Sequence, residues 1–140
     1  MEQLKTRLSQ DDVRGVARSA DGRERVFPRK GVVDLYSLIT DDPSFLKGGC
    51  IADRVIGRGA ALLLVKGEIK EAFAYVMSEG AFTVLQNAGI KASFSTLQPY
   101  IQNRTGDGIC PVEQLTASTS SPDEAYSLIG NFLREKCIID

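Results

Sequence analysis

The sequence contains no histidine and no tryptophan. Without histidine there is no imidazole base, no Ser-His-Asp or Cys-His pair, and no histidine metal ligand. Cysteine is scarce and odd in number, with Cys50, Cys110 and Cys137 far apart. That count argues against a disulfide scaffold and for reduced thiols in a cytoplasm. No C-x-x-C pair occurs, and the only set resembling metal ligands is Cys50, Cys110 and Asp53, so no metal is expected. P-loop and dinucleotide fingerprints are also missing, and no cofactor is expected. A formal net charge of −1 gives no electrostatic case for nucleic acid or an anionic membrane. No apolar run approaches the ~20 residues that cross a bilayer. The opening MEQLKTRLSQ is polar and charged, unlike a secretory signal.

What remains is an ordinary globular composition, 43% apolar and 25% charged over 140 residues. It fits a single domain, 1–140, large enough for a core. The chain is organised around Lys47–Lys66, KGGCIADRVIGRGAALLLVK. This stretch reads as a loop feeding a buried helix, with Asp53 as N-cap and Gly67 at the stop. Gly57 and Gly59 then fall inside the helix at ~1 kcal/mol each relative to Ala. Close contact with a neighbour or a ligand is the expected compensation.

The other elements follow from patterning. Leu4 and Leu8 have helical spacing in Met1–Ser9. Asp12–Ala20 and Arg23–Phe27 read as strands joined at Asp21-Gly22, a hairpin signal, and their charges place them towards a sheet edge. Val32, Leu35, Tyr36 and Ile39 mark an amphipathic helix over Gly31–Thr40. Asp41-Asp42-Pro43 suggests one further helical turn through Leu46. Ala72–Met77 suits a strand buried on both faces, Ser78 a helix cap, Gly89 the helix end, and Ile90–Phe94 the next strand, together a βαβ unit. Leu97–Gln102 reads as a turn of helix interrupted by Pro99, and Pro111–Leu115 as a short helix. Ser121-Pro122-Asp123-Glu124 is a capping box for a last helix with Ala125, Leu128, Ile129 and Phe132 on one stripe.

Three groups of residues carry candidate chemistry. The loop NRTGDGICP holds Asn103, Arg104, Thr105, Gly106, Asp107 and Gly108 as candidate ligand contacts, with Cys110 as a thiol before a helix start. It reads equally as a plain surface turn. Gly49, Arg54 and Arg58 surround Cys50 and Asp53; two arginines at i, i+4 reach solvent, pair with acids or line a pocket. Cys50 is either a reactive thiol or a buried structural one. Ser78 and Glu79 stand at the carboxyl end of a strand, where ligands gather in open α/β sheets, and read first as a cap and a first-turn acid.

KGGCIADRVIGRGAALLLV, FAYVMSEGAFTVLQNAGI and NRTGDGICPVEQL together resemble a small prokaryotic domain-of-unknown-function family with a cytidine-deaminase-like fold. The resemblance implies a three-layer α/β/α sandwich around a five-stranded mixed sheet, with the hairpin as its antiparallel edge pair. The element order read from patterning (helix, two strands, helix, central helix, strand, helix, strand, helix) fits this independently. Zinc deaminases carry H-x-E at one helix start and P-C-x-x-C at the next. Here those places read Cys50-Ile51-Ala52-Asp53-Arg54 and Ser78-Glu79-Gly80-Ala81-Phe82-Thr83, so the shared fold does not bring zinc-water chemistry.

Three functions stay open on these residues. The first is binding of a small anionic or nucleotide-like ligand in a cleft at helix N-termini, without zinc-dependent deaminase activity. The second is a cysteine-thiolate enzyme using Cys110 or Cys50, with Asp53 or Asp107 as proton carrier. The third is a protein-interaction module, with homo-oligomers as one form.

Overall fold

A computed structural model describes residues 1–29, 31–102, 108–136, 138 and 139. The chain opens with helix α1 (Glu2–Leu8), then the hairpin of β1 (Gly15–Arg18) and β2 (Glu24–Phe27). Gly22 holds φ at +94° in the turn, the left-handed region that glycine enters without strain. Helix α2 (Val33–Asp41) leads to β3 (Cys50–Ile56), α3 (Arg58–Lys66), β4 (Glu71–Ser78), α4 (Glu79–Asn87) and β5 (Lys91–Gln98). Two helices close the chain, α5 (Pro111–Thr116) and α6 (Pro122–Glu135).

The strands form one five-stranded mixed sheet in the order β2-β1-β3-β4-β5. β1 runs antiparallel to β2 and β3, while β3, β4 and β5 are parallel to one another. The hairpin is therefore at an edge, with β2 outermost. Its charges are accommodated there: Arg18 and Glu24, paired across the two strands, form an ion pair at 2.6 Å.

The fifth strand lies inside the central stretch, and this corrects the sequence reading. Cys50–Ile56 is not a loop and helix start; it is β3, in the middle of the sheet. Asp53 is a strand residue and caps nothing. Helix α3 begins only at Arg58, with Gly57 as its N-cap in extended backbone and Gly67 as its C-cap. The reason is the run Ile-Ala-Asp-Arg-Val-Ile, whose β-branched residues suit a pleated, paired strand. Gly57 carries no helix-interior penalty because it stands outside the helix. Two smaller readings also change. Asp42–Gly49 forms successive hydrogen-bonded turns rather than a helix, and Leu97–Gln102 contains no helix, because β5 continues to Gln98.

Two apolar clusters form, and their strand residues alternate. Leu4 and Leu8 of α1 pack on Val16, Ala52 and Phe73. The larger cluster joins Ala17, Ile51, Ala72 and Ala74 of the strands to α2, α3, α4 and α6. Helix α3 is its centre, with Ala61, Leu63 and Leu64 fully buried and Leu62 nearly so. Truncating a leucine of this kind costs about 2–5 kcal/mol. Caps fix two more helices where the sequence signals them. The Ser78 hydroxyl accepts the Ala81 N–H at 3.0 Å, and the Ser121 hydroxyl accepts the Glu124 N–H at 3.2 Å. No described helix is long and apolar enough to cross a membrane.

Candidate functional site

A cavity of about 670 Å³ opens beside β3. That volume lies within the ~300–1,000 Å³ of ordinary small-molecule sites. Asp53 of β3 forms part of its floor, exposed Val55 lines it as well, Val32, Val33 and Leu35 form one wall, and Ile101, Cys110, Pro111 and Val112 another. Phe132 and Leu133 of α6 close a third side. Arg14, Arg29, Glu113 and Lys136 also reach it, and Arg29 and Lys136 are exposed residues at its mouth. A second depression of about 190 Å³ lies on the other side of Arg29 and Asp34; it is below the usual size of a ligand site.

Small neighbours create the room at the floor. In the sheet register Asp53 is opposite Gly15 on one side and Ala74 on the other. A Cβ on Gly15 would stand 3.2 Å from the Asp53 carboxylate and 3.0 Å from the Phe27 ring. Asp53 is half-buried, and it faces the cavity. The contact described for its carboxylate is a long hydrogen bond from the Val55 N–H, at 3.4 Å. Among the described residues no lysine or arginine forms an ion pair with it. Burial pushes its pKa up from 3.8 to about 7, only partly offset by the Val55 and Arg54 backbone N–H groups. The Asp34 carboxylate pushes the same way and the Arg54 charge opposes it. A carboxyl in that range exchanges its proton near neutral pH.

The wall formed by α5 explains both central glycines. A Cβ on Gly57 would meet Glu113 Oε1 at 2.5 Å, and one on Gly59 would meet Val112 Cγ1 at 2.5 Å. The expected close approach is therefore made by a neighbouring helix. Helix α3 has no side-chain cap of its own. Glu113 supplies one from α5, accepting the Arg58 N–H at 2.5 Å.

The structure brings only some of the sequence candidates together. Cys110, Asp53 and Arg54 line the cavity. Gly49, Cys50, Arg58, Ser78, Glu79 and Gly108 do not. Cys50 opens β3 on the α1 side, and the cavity's Cys110 belongs with the other end of that strand. Seven extended residues span about 20 Å, so the two thiols do not converge. Gly49 is a packing glycine, with the Arg18 carbonyl where its Cβ would be. Ser78 is a buried cap and Glu79 is exposed. Asn103, Arg104, Thr105, Gly106 and Asp107 lie outside the described residues.

The two arginines do not share a helix face. Arg54 is in β3 and turns away from Asp53, as alternation along a strand requires. Its guanidinium donates to the carbonyls of Val13 (2.8 Å), Gln10 (2.7 Å) and Leu8 (3.1 Å), fastening the end of α1. Arg58 donates to the Thr116 carbonyl at 3.1 Å and the Thr119 carbonyl at 2.5 Å, fastening the end of α5. Both charges are neutralised by backbone dipoles at helix ends. Among the described residues no three His, Cys, Asp or Glu side chains come together as a metal site would need.

Sequence reasoning did not find Arg14, Arg29, Val32, Val33, Ile101, Val112, Glu113 or Lys136 at this site. Gly15 carried the one available signal, since a glycine inside a strand marks a close approach.

The family description "TM1506: Domain of unknown function (DUF1893)" matches residues 3–133. The chain belongs to the DUF1893 family. A crystal structure of a DUF1893 family protein, TM1506 from Thermotoga maritima, is similar to it at a TM-score of 0.83 and 21% identity. The similarity covers 93% of this chain and 87% of that one. At that identity the likeness carries the fold alone, which this chain shares with that protein. No curated protein matches the chain.

Proposed function

We propose that this DUF1893 protein binds a small organic molecule in the cavity beside β3. The observation that carries this reading is a half-buried carboxyl, Asp53, aimed into a mostly apolar space of about 670 Å³. Ligand sites combine apolar walls with a few placed polar groups in this way. A nucleotide-like molecule suits the cavity's polarity: an uncharged ring fits Val32, Leu35, Ile101 and Val112, and an anionic end lies towards exposed Arg29 and Lys136. Calorimetry with nucleosides and nucleotides on the wild type and on Val112→Trp tests it. The expected result is binding to the wild type and loss in the variant, whose indole fills the cavity. No binding to the wild type, or equal binding to both, would count against the reading.

The same proposal includes a three-layer α/β/α sandwich of the cytidine-deaminase kind. Support comes from α1 on one apolar cluster, the remaining helices on the other, and the strand order between them. The place of H-x-E then moves from Cys50–Arg54 to the true start of α3, Gly57-Arg58-Gly59-Ala60. None of these four side chains is a zinc ligand, so the proposed activity is not zinc-dependent deamination.

A second reading keeps Cys110 as a thiolate nucleophile, because it shares the cavity with Asp53. Alkylation rates followed against pH report the thiol's pKa directly. A value near the unperturbed ~8.5 would weigh against it.

A further inference from the structure

Asp53 and Arg54 are adjacent in sequence, yet among the described residues only Arg54 has its charge fully partnered. Arg54 is satisfied by three backbone carbonyls on the α1 side of the sheet. Asp34, the acid nearest in effect to Asp53, is already paired with Arg29 at 2.7 Å and accepts the Arg29 N–H at 2.8 Å. Glu113, the other acid lining the cavity, is engaged as the α3 cap. Asp53 is the acid left facing the cavity without an ion-pair partner among the described residues. The valine, leucine, isoleucine and phenylalanine walls offer it no partner, and the Val55 and Arg54 backbone N–H groups compensate it only in part. Ionising a carboxyl in such surroundings is unfavourable unless a counter-charge arrives with the ligand.

Resting on the cavity reading above, we infer that the ligand turns a protonated nitrogen, as an amine, amidine or guanidine, towards Asp53, with its apolar body against the surrounding walls. The polarity of the site then has a direction. Asp53 at the floor selects a cation, and exposed Lys136, unlike Arg29, which is paired with Asp34, is placed to keep any anionic group outward. This is the opposite orientation from an anion held deep in the cleft. Arg14, Arg29, Asp34, Arg54, Glu113 and Lys136 are the other charged groups near the cavity. Of these the acids are engaged as described.

Three probes of one shape and different charge test the inference: benzamidine (cationic), benzamide (neutral) and benzoate (anionic). Each is titrated by NMR into the wild type and Asp53→Asn at pH 8. The expected result is benzamidine bound about tenfold or more tighter than benzamide by the wild type, with that preference lost in the variant. Should Asp53→Asn not fold, the wild type alone decides: benzamidine affinity is expected to rise from pH 5 to pH 8 while benzamide affinity stays level. Binding led by benzamide or benzoate, a preference that survives Asp53→Asn, or a benzamidine affinity flat in pH would overturn the inference and leave the cavity reading standing. No perturbation of cavity residues by any probe would overturn both.

Discussion

The two faces of β3 treat charge in opposite ways. On the α1 side, Arg54 is surrounded by the carbonyls of Leu8, Gln10 and Val13, left over where α1 ends and the chain turns into β1. On the cavity side, Asp53 has mostly apolar neighbours and, among the described residues, only backbone N–H groups of its own strand, Val55 and Arg54, to offset its charge. The first arrangement is complete in the folded chain and fastens two elements together. The second is incomplete and raises the energy of the ionised form. Charged groups that serve architecture are satisfied by the protein itself, whereas one left unsatisfied at a cavity is available to something else.

The largest expected effect sharpens this contrast through pH. The Asp53 pKa is 3.8 when unperturbed and about 7 in the folded protein. The folded state therefore binds this proton more tightly. Its contribution to stability is full below about pH 4, declines as pH rises, and is lost above about 7. Asp53→Asn removes the penalty. Urea unfolding is expected to find the variant about 4 kcal/mol more stable than the wild type at pH 8 and equal to it near pH 3.5. Equal stability at both pH values would break the comparison.

Next in size is Arg54→Ala, which leaves the carbonyls at the end of α1 without their donor. A loss of about 2 kcal/mol is expected, with amide exchange accelerated first in α1. Lysine at the same position restores only part, because an ammonium lacks the planar fork that reaches several carbonyls. Glu113→Ala is expected to cost about 1 kcal/mol, the usual worth of an N-cap. Its exchange signature belongs at the start of α3, away from α1. The smallest effect concerns reactivity. A cavity ligand is expected to slow alkylation of Cys110 and leave Cys50 unchanged, followed by mass spectrometry of the labelled peptides.

Much of the fold was legible because its signals are local. The Asp21-Gly22 turn, the Ser78 and Ser121 caps, and the AFAYVM strand each depend on residues within a few positions of one another, and all are found in place. Cys50–Ile56 was not legible, because an aspartate before an apolar run also looks like a helix cap. What makes it a strand is pairing with β1 and β4, partners distant in sequence. The site divides in the same way. Gly57 and Gly59 announced a close approach, but nothing nearby in the chain named Glu113 and Val112 as what approaches. Asp53 lines the cavity as a residue of β3, and its reading as a helix cap was wrong.

The cap on α3 comes from a residue 55 positions further along the chain. During synthesis on a ribosome, the central helix therefore emerges before the group that finishes it has been made. Until residue 113 is free, the Arg58 amide has only water to bond, and the wall formed by α5 does not yet exist. The docking of α5 thus completes the main helix and adds one wall to the space beside Asp53 at the same moment.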